Sequence, residues 1–165
     1  MAQCSAPIAL FATLALFATA GVGLGQTAPG EPEEKTTIPY AMTMGDMMST
    51  LVQPRHIKLG LAGRDKNWPL AHYTLVEIRQ AFAGITKAQP RFRGLPVSEL
   101  VDAAMTQPIS TLEIAIKQQD SAKFSAAYDQ FTQGCNACHT ALDHPYVVIK
   151  VPGESAFPDQ EFKTR

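Results

Sequence analysis

Apolar side chains recur at steps of three and four along most of this chain. The clearest stripe is Trp68, Ala71, Leu75, Ile78, Phe82 and Ile85, which is the period of one helix face. Asn67 is placed to cap that helix, and Pro69 falls in its first turn, where a missing N–H costs little. An earlier segment, from about Ile38 to Ala62, carries Met44, Met48, Leu51, Val52 and Leu59 at helical spacing. Pro54 removes one backbone hydrogen bond there and predicts a kink or a split near Thr50. Gly63 is placed to end the segment. A third helix is expected from the capping residue Ser98 to about Lys117, broken in two by Pro108. A fourth starts near Asp120 or Ser121. It brings Phe124, Tyr128, Phe131, Cys135, Cys138 and Leu142 to one face before Pro145 ends it. The link 62–67 is short, as between antiparallel neighbours, whereas Pro90, Gly94 and Pro96 mark a longer connection. The pattern predicts an all-α fold of four helical segments over residues 38–145.

The two ends read differently. Residues 1–25 hold no charged side chain, and PIALFATLALFATAGVGL (7–24) is an apolar run. It reads as a signal peptide with cleavage before Gln26, after small residues at Gly23 and Gly25, or earlier near Ala18 and Ala20. No Lys or Arg precedes the run, and its length also suits an uncleaved membrane anchor. Residues 26–37 (QTAPGEPEEKTT) form a polar, flexible lead-in. Residues 146–165 form a C-terminal tail whose apolar Tyr146–Ile149 stretch is expected to pack back on the helices.

Removing the leader leaves about 140 residues, the size of one domain. The net charge of −1 provides no basic footprint for nucleic acid and no strong monopole for steering a partner. Of the three cysteines, Cys4 lies in the leader, so cleavage leaves no spare thiol in an oxidising compartment.

The remaining two cysteines belong to Cys135-Asn136-Ala137-Cys138-His139. In an exported protein this run is the attachment signature of a c-type haem. Two thiols bond to the haem vinyl groups, and the adjacent histidine supplies an axial nitrogen to the iron. Cys135 and His139 are four apart and share a helical face. A structural zinc site needs about four ligands, and His56, His72 and His144 show no paired spacing that would supply them. A thiol redox motif should follow a strand, and none is evident here. One motif implies one covalent haem.

Together these features resemble the class II c-type cytochromes, the group containing cytochromes c′. The resemblance covers about Ile38 to His144. It implies a four-helix bundle with one covalent haem on the last helix, held by Cys135 and Cys138, with His139 as proximal iron ligand. The runs QPRHIKLGLAG (53–63) and NWPLAHY (67–73) also resemble a subgroup of periplasmic cytochromes. Cytochromes c′ usually carry Arg or Lys four residues after the haem histidine; here that position is Asp143. Family members often dimerise through the first two helices, so a homodimer is implied, with Pro54 altering that surface.

The far side of the iron decides function. In cytochromes c′ it is empty and apolar, which leaves an iron that binds NO or CO. In low-spin relatives a first-helix methionine fills it, which raises the potential and suits electron transfer. Met44, Met47 and Met48 stand near the expected level, and His56 is a further candidate; adaptable core packing is the alternative for the methionines. Arg55, Lys58, Arg91 and Arg93 are candidates for pairing with haem propionates, and Trp68 and Tyr73 for packing in the core or on the haem edge. His144 reads as a surface residue. No distal acid–base pair supports a peroxidase, so the expectation is a non-enzymatic, periplasmic single-electron carrier with an unidentified redox partner. A gas-binding haem protein is the competing reading.

Overall fold

The computed structural model describes residues 40–164; the leader and lead-in readings for 1–25 and 26–37 lie outside them. The described chain is all-α apart from one short hairpin. Helix α1 (Met44–Met47), a five-residue π-helical turn (Met48–Val52) and α2 (Gln53–Arg64) follow one another without a gap. Thr43 starts the run with a capping box: its hydroxyl accepts from the Asp46 N–H, and its own N–H donates to the Asp46 carboxylate at 2.9 Å.

Pro54 does not split this rod. It falls in the first turn of α2, and the Gln53 N–H reaches back five residues to the Met48 carbonyl. A widened turn thus absorbs the proline. Gly63 is not the stop either. It lies inside α2, where a Cβ would come within 2.0 Å of the Phe124 ring. The missing side chain admits an aromatic from another helix, and Lys66 (φ 58°) makes the left-handed turn beyond the end.

Helix α3 spans Trp68–Ala88, capped by the Asn67 side chain, which accepts from the Leu70 N–H at 3.2 Å. The Pro/Gly connection after it folds into an antiparallel hairpin, β1 (Arg91–Phe92) with β2 (Leu95–Pro96). Its turn residues Arg93 (φ 50°) and Gly94 (φ 83°) both take positive φ, as the tight two-residue hairpin turn requires.

Helix α4 runs unbroken through Pro108 over Val97–Gln118 and begins at Pro96, so Ser98 is not its cap. Pro108 has no N–H for the Ala104 carbonyl four residues back. That oxygen lies against Gly134 of the last helix, where a Cβ would be 2.6 Å away. Helix α5 (Ser121–Ala141) is capped by Asp120, whose carboxylate accepts from the N–H groups of Ala122 and Lys123 at 3.0 Å each. Asp143 (φ 62°) turns the chain away before Pro145.

The helices pack α2 on α3, α3 on α4, α4 on α5, and α5 back on α2. Leu59, Leu75, Ile78, Ile85, Leu112 and Phe131 are fully buried between them. Arg55–Glu77 (3.2 Å) ties α2 to α3, and Arg79–Glu113 (2.5 Å) ties α3 to α4. The segment after Pro145 has no regular structure. It nevertheless buries Phe162 and lays Ile149 and Phe157 on the core. Among the described residues no helix is long and apolar enough to cross a membrane.

Candidate functional site

A cavity of about 240 Å³ opens at one end of the helices. One wall is a four-residue ladder, Met44, Met48, Val52 and His56. A straight α-helix turns ~100° per residue, so such a ladder drifts by about 40° at each step. The π turn over Met48–Val52 holds more residues per turn and cancels part of that drift. The ladder therefore keeps facing the cavity across the α1–α2 junction. Phe82 of α3 and Val101 and Met105 of α4 add apolar walls, and Cys135, Cys138 and His139 of α5 face the same space. Phe92 of the hairpin and Val147 and Ile149 of the tail complete the lining.

Burial pushes the Cys135 thiol up to about 12, with the neighbouring Cys138 adding to the effect. Burial raises the Cys138 thiol as well. Both sulfurs are held as neutral thiols, the reverse of the lowered pKa that marks a redox-active thiolate. His139 Nδ1 lies 2.7 Å from the Val147 carbonyl. A carbonyl only accepts, so Nδ1 carries a proton, which leaves Nε2 as the nitrogen that holds the lone pair whenever the ring is neutral.

The methionine candidates divide. Met44 and Met48 line the cavity, whereas Met47 is buried in the core and does not. Met105 also lines it and was missing from the sequence reading. Its spacing of four from Val101 was the available signal. A Cβ on Gly134 would lie 3.0 Å from the Met105 methyl, so Met105 packs against α5, the helix that carries His139.

His56 reaches the cavity wall, but both of its ring nitrogens are engaged. Nδ1 is 3.0 Å from the Tyr128 hydroxyl and Nε2 is 3.0 Å from the Thr132 hydroxyl. Tyr128 also donates to the His56 carbonyl at 2.6 Å, and the imidazole stacks on Phe131. Burial lowers the His56 pKa to about 4, so the ring is neutral near pH 7.

Other candidates sit elsewhere. Arg55 pairs with Glu77, Arg93 with Asp143 at 3.0 Å, and Arg91 with the Gly94 carbonyl of its own hairpin, while Lys58 lies over the Phe157 ring. None of the four lines the cavity. Trp68 meets Phe124 edge-on, away from the cavity, and Tyr73 is 62% exposed. His144 is not a plain surface residue, because it lines the cavity and its ring lies 5.9 Å from Phe92. The folding of 91–96 into a hairpin is what brings Phe92 there. Among the described residues no group of three or more His, Cys, Asp and Glu side chains is placed to hold a bare metal ion.

No family model, curated protein or solved structure matches this chain.

Proposed function

We propose that this chain is a periplasmic class II c-type cytochrome that carries single electrons. In this reading the α1–α2 rod, α3, α4 and α5 form a four-helix bundle around one covalent haem. Cys135 and Cys138 would hold the haem by thioether bonds, and His139 would be the proximal ligand. The observation that carries the reading is that both thiols and an imidazole with a free Nε2 face one largely apolar cavity. That donor set suits a covalent haem, which needs two cysteine sulfurs, an axial nitrogen and an apolar slot. It does not suit a thiol redox site, for Cys135 is buried, Cys138 is half-buried, and burial raises both thiols rather than lowering them.

When bound, the haem iron supplies the one-electron couple, and the protein's task is to orient and tune it. His139 would present Nε2 while Val147 holds its other nitrogen. Met44 or Met48 would provide a thioether as the distal ligand, since both reach the cavity and Met47 does not. His56, fixed by Tyr128 and Thr132, would serve as a rigid neutral wall rather than as a ligand. The partner would be a periplasmic redox protein docking near the haem edge.

The apolar character of Val52, Phe82 and Val101 also favours a second reading, an iron open to NO or CO. Optical spectra of the purified protein in ferric and ferrous states separate the two. A six-coordinate low-spin spectrum with a methionine–iron charge-transfer band is expected. A five-coordinate high-spin spectrum would shift the assignment to gas binding, and absence of covalent haem would remove both readings.

A further inference from the structure

The motif residue between the first cysteine and Ala137 is Asn136, and its side chain does something a spacer need not do. Its amide N–H donates to the Ile149 carbonyl at 2.9 Å, and its amide oxygen accepts the Ile149 N–H at 2.7 Å. One side chain thus pairs both backbone groups of one tail residue, as a neighbouring strand would. Ile149 belongs to no helix or strand. Two residues earlier, the Val147 carbonyl accepts from His139 Nδ1 at 2.7 Å. Val147 and Ile149 both line the cavity. The tail is therefore fastened to the haem motif at two points, one on Asn136 and one on His139.

We propose that Asn136 is a positioning residue: it clamps the tail at Ile149 so that the Val147 carbonyl stays on His139 and sets the donor strength of that imidazole toward a haem iron. The proposal rests on the cytochrome reading above. An Nδ1–H held by a carbonyl makes the other ring nitrogen a stronger donor. A stronger donor favours ferric over ferrous iron, so the clamp lowers the reduction potential. Without it the Val147 carbonyl loses its nearest backbone anchor on the C-terminal side, and the potential rises.

The test compares wild-type holoprotein with Asn136→Ala and with Asn136→Leu, which keeps the side-chain bulk and removes both hydrogen bonds of the clamp. Covalent haem is counted by the pyridine haemochrome assay, the potential is measured by redox titration, and exchange is followed at the Val147 and Val148 amides. The expected result is full haem attachment, faster amide exchange in 147–148, and a reduction equilibrium moved on the order of tenfold toward ferrous, about 59 mV for one electron. Faster exchange with an unmoved potential would overturn the proposal and leave the tail as packing alone. Wild-type protein that carries no haem would overturn the cytochrome reading itself, so the two failures are distinct. Should Asn136→Ala fail to mature, Asn136→Leu carries the same comparison.

Discussion

His56 is 2% exposed, and its pKa is lowered to about 4 because burial disfavours the imidazolium. In the unfolded chain a histidine titrates near 6.5. Between those values the unfolded state holds the extra proton, so stability rises with pH across that window. The contribution is fully present above about pH 6.5 and is lost as pH falls toward 4, on the order of 3 kcal/mol in all. Urea unfolding at pH 7 and pH 4.5 should show this loss in the wild type, and His56→Gln should show a clearly smaller one. Equal losses in both would mean that another group controls acid stability. The methionines admit a similar separation. On the proposed function, Met47→Ala should cost about 2–5 kcal/mol as a core truncation while leaving the haem spectrum unchanged. Of Met44→Ala and Met48→Ala, one should abolish the methionine–iron band of the ferric protein. Retention of the band in both would exclude the two cavity methionines as the ligand.

At the scale of elements, two glycines with the same sequence appearance have opposite roles. Gly63 in α2 faces the Phe124 ring, whereas Gly84 in α3 has open space where a side chain would stand. Gly63→Ala should destabilise by about 1–3 kcal/mol through overpacking. Gly84→Ala should stabilise by roughly 0.5–1 kcal/mol, since its only effect is on backbone freedom. Thermal unfolding of the two variants checks both signs. This contrast also marks what was legible beforehand. The α3 stripe, the Asn67 cap and the Asp120 start of α5 are local features, and the structure has them where the pattern put them. Gly63 and Pro108 were misread as breaks because their meaning is tertiary, whereas Pro54 does disturb the α-helix around Thr50, as a π turn rather than a split. A π turn absorbs Pro54, Phe124 occupies the space at Gly63, and Gly134 lets the Ala104 carbonyl approach at Pro108. The hairpin escaped notice because two residues per strand carry no periodicity, and only the Arg93–Gly94 backbone reveals the turn.

For the whole molecule, the cavity is large relative to the stability that must hold it open. The motif pentapeptide was legible as chemistry, but the walls of its cavity come from all five α-helices, the π turn, the hairpin and the tail, and no local pattern shows that they meet. A group that filled this 240 Å³ pocket would take its apolar lining out of water, and removing apolar surface from water is the main stabilising term of folding. Ordinary domains have only about 5–15 kcal/mol in total. On the proposed function the haem belongs to the core, and the protein without it is short of much of its stability. The deficit should also be local. The α2–α3 contact lies on Leu59, Leu75 and Ile78, which do not line the cavity, while Val101, Met105, Val147 and Ile149 do. In a Cys135→Ala/Cys138→Ala double variant, the melting temperature should fall by well over 10 °C, given ~4–8 °C per kcal/mol for a domain near 100 residues. Hydrogen exchange should speed up first around Val101, Met105 and the 147–149 strap, with α3 remaining protected. A haem-free double variant as stable as the wild type would count against a haem filling this cavity in the working protein, whatever its axial ligands.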